Sequence, residues 1–139
     1  MTGNVAQVFL TGEDWAAALR AIHAALRPGG RLVFESRDPA RKAWLEWTRE
    51  QSHSRTTLPD GREAESWYDL TGVDGDLVSF RGTVVFGDGE TLTSDSTLRL
   101  RGYGELAGSV AAAGLVVDEV RDAPDRPGRE FVFVTRRPV

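Results

Sequence analysis

The sequence predicts an α/β fold, and three features of its hydrophobic pattern lead to that prediction. Apolar residues recur at helical spacing near the start of the chain and again after residue 102. A short apolar run at residues 32–34 follows the first helical segment, and two further apolar runs close the chain. Helical and extended segments that alternate in this way are typical of a sheet packed against helices.

The first helix is predicted to run from residue 14 to residue 26. Thr11 suits the N-cap because Asp14 lies three residues further on, and acidic residues favour the positive end of a helix. The apolar stripe of this helix consists of Trp15, Leu19, Ile22 and Leu26. Pro28-Gly29-Gly30 ends the helix, because proline cannot continue it and glycine accepts left-handed backbone angles.

A strand and a second helix are predicted next. Residues 31–36 are continuously apolar in the middle, which predicts a strand that is buried on both faces. Asp38 suits the N-cap of a helix, and Pro39 suits its first position. This second helix is predicted to reach residue 50 and to carry Trp44 and Trp47.

Residues 63–101 are predicted to form an insertion of three antiparallel strands. The strands are expected at residues 64–70, 77–86 and 91–101. Asp-Gly pairs at residues 74–75 and 88–89 separate them, and such pairs favour hairpin turns. Residues 52–62 are polar and are interpreted as a loop with a turn at Pro59-Asp60-Gly61.

A third helix and two strands are predicted to complete the chain. The third helical stripe consists of Tyr103, Leu106, Val110 and Ala113, and Gly114 ends it. The final strands are expected at residues 115–120 and 131–135. We expect a single domain over residues 1–139 that carries the insertion.

The composition argues against several classes of function. The net charge is −4 and no basic face is evident, so nucleic acid is not an expected partner. The absence of cysteine excludes disulfides, thiolate metal sites and a cysteine nucleophile. His23 and His53 lie far apart with no third ligand at helical spacing, so no metal site is expected. Because no apolar run approaches the roughly 20 residues that span a bilayer, we expect a cytoplasmic protein with no membrane partner.

The segment from Trp15 to Glu35, which contains Leu26-Arg27-Pro28-Gly29-Gly30, is similar to a late motif of class I S-adenosylmethionine-dependent methyltransferases. The continuation Ser36-Arg37-Asp38-Pro39 with Trp44 resembles a bacterial subgroup that acts on small molecules. Gly3-Asn4-Val5-Ala6-Gln7-Val8-Phe9 resembles the segment that leaves the fourth strand of the family's sheet. The resemblance implies the C-terminal half of such an enzyme, with a partial Rossmann-like methyltransferase sheet and a three-stranded antiparallel insertion.

The resemblance also implies that half of the cofactor site is missing. The family holds S-adenosylmethionine with a glycine-rich turn after the first strand and an acidic residue after the next one. Gly87-Asp88-Gly89 and Gly102-Tyr103-Gly104 lie in other contexts and do not replace that turn. Full-length relatives transfer a methyl group to O, N or C of a small molecule, chiefly by positioning the two reactants. The alternatives are a non-catalytic binding or dimerisation module and, with less support, an α+β ligand-binding barrel.

Asn4 and Val5 are the candidate cofactor-binding residues, because they match the family segment beside the methyl donor. The alternative for Asn4 is a capping or turn residue. Glu35 and Arg37 are candidate substrate-binding residues, because ligands of open α/β sheets bind beyond the carboxyl ends of strands. Arg37 alternatively belongs to a surface ion pair, and Asp38 is expected to cap a helix.

Trp67 and Tyr68 of the insertion are further candidates for substrate binding. Aromatic side chains at these positions suit a wall of an apolar pocket, a lid or an interface. Trp44 is expected to pack in the core. No residue is assigned as catalytic.

A sheet that lacks its first strands leaves an apolar edge open to pairing with another chain. We therefore expect either a homodimer, formed through this sheet or the insertion, or a separate chain that supplies the missing N-terminal half.

Overall fold

The computed structural model describes all residues 1–139, and the chain divides into two compact units. The first unit consists of Met1–Lys42 and Leu98–Val139, and the second of Ala43–Thr97. In chain order the helices are α1 (Gly12–Ala25), α2 (Arg49–Ser52) and α3 (Tyr103–Ala112), and the strands are β1 (Arg31–Arg37), β2 (Ser54–Thr57), β3 (Glu63–Asp74), β4 (Leu77–Phe86), β5 (Thr91–Arg99), β6 (Val116–Asp122) and β7 (Glu130–Arg136). No helix is long and apolar enough to cross a membrane.

The predicted signals at both ends of α1 are confirmed. The Thr11 hydroxyl accepts a hydrogen bond from the Asp14 backbone N–H at 3.0 Å, as an N-cap does. After the helix, Gly29 has a φ of +78°. A Cβ at Gly30 would lie only 2.8 Å from the Arg27 carbonyl oxygen. The turn therefore needs both of its glycines, the first for its dihedral angles and the second for its close backbone contact.

The sheet of the first unit has the order β1-β7-β6, and both of its strand pairs are antiparallel. Along β1 the side chains alternate, so that Leu32, Phe34 and Ser36 are buried while Val33 is 44% exposed. The prediction that this strand is buried on both faces is therefore wrong for this chain. The reason is that α1 and α3 pack on only one face of the sheet.

Aromatic rings form the centre of the core in the first unit. The rings of Phe34 and Phe133 stack with their centroids 5.1 Å apart, and Trp15 packs edge-on against Phe34 at 5.5 Å. From α3, Leu106 and Val110 contribute fully buried side chains to the same cluster. This core fixes both helices against the inner face of the sheet.

The second unit contains a four-stranded sheet of order β2-β3-β4-β5. The three predicted strands are present as β3, β4 and β5, and β2 is a fourth that the sequence did not indicate. It pairs antiparallel with β3, from Ser54 opposite Ser66 to Thr57 opposite Glu63. All four residues of β2 are exposed, so the strand has no apolar alternation that a sequence pattern would reveal.

The second predicted helix is broken into three short pieces, so its prediction as one helix is wrong. Asp38 caps its start as expected, accepting a hydrogen bond from the Ala40 N–H at 3.0 Å. Lys42 then adopts a left-handed φ of 48°, and short 3-10 turns at Pro39–Arg41 and Ala43–Glu46 precede α2. None of these pieces contains a buried residue, and a helix without a buried face gains little from tertiary packing.

Candidate functional site

The first candidate residues, Asn4 and Val5, lie at the start of a 3-10 turn, Val5–Val8. Asn4 is only 3% exposed and adopts a left-handed φ of 58°, which asparagine tolerates better than most residues. Its amide nitrogen donates a hydrogen bond to Glu130 Oε1 at 3.1 Å. Val5 is 42% exposed. Within this chain, the Asn4 amide therefore anchors the backbone, and Val5 is the residue of the two that faces solvent.

Glu130 is the buried residue whose carboxylate accepts the hydrogen bond from the Asn4 amide. Its carboxylate also forms an ion pair with Arg126, whose Nη1 lies 2.9 Å from Glu130 Oε1. Glu130 Oε2 and Asn4 Oδ1 are buried without any hydrogen-bond partner. Buried polar atoms in this state are uncommon in folded proteins.

Gln7 and Arg101 hold the remainder of the N-terminal segment. Gln7 is 1% exposed, and its Oε1 accepts a hydrogen bond from the Arg37 backbone N–H at 2.8 Å, which joins the segment to the end of β1. Arg101 is also 1% exposed and donates to three backbone carbonyls, those of Ala6 at 3.2 Å, Phe9 at 2.6 Å and Thr11 at 3.2 Å. One buried guanidinium thus fixes six consecutive residues of backbone.

The carboxyl end of β1 brings Glu35, Arg37 and Asp38 close to this segment. An oxygen of Glu35 accepts a hydrogen bond from the Gly3 N–H, so one of its acceptor positions is used within the fold. The side chains of Glu35 and Arg37 are partly exposed. The structure therefore brings together four of the predicted site residues, Asn4, Val5, Glu35 and Arg37, while Asp38 serves as a cap.

A cavity of about 480 Å³ lies in the first unit beside Asp38. Its polar lining includes Arg41, Tyr103, Arg121, Asp122 and Glu130, and Phe131 provides an apolar wall. A hydrogen bond from Arg121 lowers the pKa of the Glu119 carboxyl, and the same bond raises the pKa of Arg121. Charged residues of both signs therefore line this cavity.

Trp67 and Tyr68 lie in the second unit, on β3. The Trp67 indole donates to Asp69 at 3.1 Å, and the guanidinium carbon of Arg49 lies 4.0 Å from the ring centroid. Tyr68 is 49% exposed and packs edge-on against Phe80, with the ring centroids 5.6 Å apart. Both line a cavity of about 420 Å³ whose surface is mostly apolar. The pocket-wall role predicted for them stays a prediction.

Sequence reasoning missed Arg101 and Glu130, and it gave Gln7 no separate role. These three residues hold the predicted cofactor segment in place. Their partners lie 30 to 126 positions away along the chain, so no local pattern indicates the contacts. A buried charged residue indicates a specific partner, because charged residues are rarely buried unpaired. The periodicity of the sequence does not show that Arg101 and Glu130 are buried.

Comparisons with solved structures identify proteins with the same fold. The chain aligns with an S-adenosylmethionine-dependent methyltransferase from Clostridium acetobutylicum ATCC 824 at 12% identity and a TM-score of 0.73, covering 99% of this chain and 56% of that one. It aligns with CalS10, an amino pentose methyltransferase from Micromonospora echinaspora, at 20% identity and a TM-score of 0.70, covering 98% and 56%. For DesVI of Streptomyces venezuelae the identity is 22%, the TM-score 0.70, and the coverage 96% and 54%.

These alignments show the fold of a methyltransferase and the extent to which this chain contains it. The chain spans only slightly more than half the length of each matched structure, which is consistent with a C-terminal half. No protein-family model matches the sequence, and no curated protein does. The predicted partial Rossmann-like fold is therefore confirmed by structure rather than by sequence similarity.

The residues present do not by themselves form a site for S-adenosylmethionine. Every strand pair for which a register is defined is antiparallel. Of the two candidate cofactor residues, Asn4 is buried and its amide is bonded to Glu130.

Proposed function

We propose that this chain is the acceptor-side, C-terminal portion of an S-adenosylmethionine-dependent methyltransferase that acts on a small molecule. The observation that carries the proposal is the fold match, which covers 96–99% of this chain but only 53–56% of each matched methyltransferase. The helix, Pro28-Gly29-Gly30 turn and strand that suggested the family from sequence all lie within the matched region.

In this proposal the chain alone does not transfer a methyl group. Methyl transfer depends on holding donor and acceptor in line, and the donor side of the site is incomplete here. Asn4 and Val5 mark the border with the donor side. Glu35 and Arg37, at the carboxyl end of β1, mark the acceptor side. Trp67 and Tyr68, which lie in the second unit, are separate candidates for an apolar substrate-binding surface.

The acceptor that we propose to test first is an amino sugar. Two of the matched enzymes are described as an amino pentose methyltransferase and a sugar N-methyltransferase. The cavity beside Asp38 adds support, because its carboxylates suit amino and hydroxyl donors while Arg41 suits an oxygen acceptor. A sugar carries groups of both kinds.

A chimera tests the proposal. The portion of DesVI that this chain does not cover would be joined to residues 1–139, and S-adenosylmethionine binding would be measured by calorimetry. We expect saturable binding that is lost in a matched chimera in which valine replaces the glycines of the glycine-rich turn. Circular dichroism and a cooperative thermal transition would verify folding, with intact DesVI as the positive control. A folded chimera that binds no cofactor would contradict the proposal.

A homodimer formed through the second unit is a further part of the proposal. β5 is a nine-residue edge strand, Thr91–Arg99, with Leu92 53% exposed and with Asp95 as the only charged residue before Arg99. Natural edge strands are usually protected against pairing with another chain by charged residues, proline or short length, and β5 has little such protection. Sedimentation should show a dimer that Leu92→Lys dissociates and that Thr56→Lys, on the opposite edge strand β2, leaves intact. A monomeric wild-type chain would contradict this part. The expected cytoplasmic location stays a prediction.

A further inference from the structure

The cavity that contains Tyr68 has an uncharged lining. Its volume of about 420 Å³ lies within the range of about 300–1,000 Å³ that is usual for small-molecule sites. Its lining residues come from β3, β4 and β5, and none of them is charged, whereas the cavity beside Asp38 is lined by charges of both signs. Because a charge that leaves water without a partner is costly, a neutral ligand suits the uncharged cavity better than an ionic one.

Gly82 leaves the centre of this cavity open. It lies opposite Tyr68, in the antiparallel pair of β3 and β4. A Cβ at Gly82 would lie 3.4 Å from the Tyr68 ring and 3.3 Å from Ser94 Oγ. A side chain at this position would therefore crowd the ring, and a glycine inside a strand often marks a place where another group approaches the backbone closely.

Apolar surface and free hydroxyl groups surround this glycine. Tyr68 is 49% exposed, Leu92 is 53% exposed and Val84 is half-buried. Residues that lie opposite each other or two positions apart share one face of a sheet, so Ser66 and Ser94 lie on the face of the Tyr68 ring. The hydroxyl groups of Ser66, Tyr68 and Ser94 make no hydrogen bond within the chain. This face therefore offers an aromatic ring and three groups that can each donate and accept.

Trp67, the neighbouring candidate for substrate binding, is already engaged. Successive side chains of a strand point to opposite faces, so the Trp67 ring belongs to the other face of the sheet. There its indole nitrogen donates to Asp69, the Arg49 guanidinium lies 4.0 Å from the ring centroid, and the His53 ring stacks at 6.2 Å. Of the two candidates, Tyr68 is the one whose ring is open to a ligand.

We propose that this cavity binds the ring of a neutral sugar, which stacks on Tyr68 and forms hydrogen bonds with the hydroxyl groups of Ser66 and Ser94. A sugar ring has an apolar C–H face and a rim of hydroxyl groups, so it matches both parts of the lining. Unlike the amino sugar proposed for the cavity beside Asp38, this ring carries no charge. The inference rests on the proposed function, in which Tyr68 is a candidate for substrate binding, and adds the chemical class of the ligand.

An NMR titration of the full chain with methyl β-glucopyranoside tests the proposal. We expect the backbone amide signals of Ser66, Tyr68, Gly82 and Ser94 to shift and to saturate with a Kd of about 1–10 mM, as suits a shallow and uncharged site. Cyclohexanol serves as the matched probe, because it has a saturated ring with a single hydroxyl group. It should bind at least about fivefold more weakly than the sugar.

Four variants locate the site. Tyr68→Ala removes the stacking ring and should weaken sugar binding by at least about fivefold, whereas Tyr68→Phe keeps the ring and should stay within about twofold of the wild type. Gly82→Ala should also weaken binding, because its Cβ would crowd the ring and Ser94 Oγ. Val73→Ala is the matched control, since Val73 is 47% exposed on β3 but does not line the cavity. Circular dichroism verifies that each variant is folded.

Three results would overturn the proposal. The first is the absence of saturable shifts in the wild type up to about 50 mM sugar. The second is equal sugar affinity of folded Tyr68→Ala and Val73→Ala, which would place the sugar elsewhere. The third is a set of signals that shift with protein concentration and not with sugar, which would assign the face to a second copy of the chain. The titration needs neither cofactor nor methyl transfer, so its failure is distinguishable from a failure of the proposed function.

Discussion

Replacing Arg101 by methionine removes the guanidinium that holds the N-terminal segment, and we expect a large loss of stability. Arg101 is 1% exposed, and its hydrogen bonds to the backbone carbonyls of Ala6, Phe9 and Thr11 are 3.2, 2.6 and 3.2 Å long. Hydrogen bonds from a charged group contribute about 1.5–3 kcal/mol each before the cost of burying the charge. Because that cost offsets part of the sum, we expect the free energy of unfolding to fall by about 3–5 kcal/mol.

Urea denaturation, followed by tryptophan fluorescence and circular dichroism, measures this loss. Trp15 reports on the first unit directly, because its ring lies 5.5 Å from the Arg101 guanidinium. The matched control is Arg20→Met, which removes an exposed arginine on α1 and should change stability by less than about 0.5 kcal/mol. Arg101→Lys keeps the charge but loses the planar guanidinium donors, so its loss of stability should lie between those of Arg101→Met and Arg20→Met. If the free energy of unfolding of Arg101→Met lies within about 1 kcal/mol of the wild-type value, then Arg101 does not hold the N-terminal segment.

Two further predictions concern the turn after α1 and an exposed ion pair. Gly30→Ala should destabilise the protein by about 1–3 kcal/mol, because its Cβ would meet the Arg27 carbonyl oxygen at 2.8 Å, whereas Gly12→Ala has open space and should be neutral or slightly stabilising in the same urea assay. A destabilising Gly12→Ala with a neutral Gly30→Ala would reverse the expectation. The hydrogen bond from Arg81 lowers the pKa of the Asp95 carboxyl, so the contribution of this pair is present above the ordinary carboxyl pKa and is lost as the pH falls through the lowered value. In an NMR titration, Arg81→Gln should raise the titration midpoint of the Asp95 carboxyl. The midpoint of Asp60, which pairs with Arg62, should stay unchanged and serves as the control. An Asp95 midpoint that does not move would show that Arg81 is not the cause of the lowered pKa.

The elements with a buried face were predictable from sequence. The α1 stripe, its Thr11 cap and the Pro28-Gly29-Gly30 turn are local signals, and the structure reproduces each of them. The segment after Asp38 was not predictable as a helix, because its capping signal is correct but no apolar face follows to stabilise it. The exposed strand β2 was missed for the same physical reason, since it is held by pairing with β3 and not by burial.

The candidate site was predictable only in part. Family resemblance and strand ends indicated Asn4, Glu35 and Arg37, and the structure places them near one another at one end of β1. The residues that fix this arrangement, Arg101 and Glu130, act across 90 to 126 positions of sequence, which no periodicity records. The prediction of two buried faces for β1 failed because α1 and α3 pack on only one face of the sheet.

We propose that this chain has the fold of the acceptor side of a methyltransferase without a complete cofactor site. The direct test is a calorimetric titration of the purified 139-residue chain with S-adenosylmethionine up to about 1 mM. We predict no saturable heat, because Asn4 is bonded to Glu130 and no glycine-rich turn is present. Saturable binding with a Kd below about 100 μM would contradict the claim and show that these residues hold the cofactor without the other half of the fold.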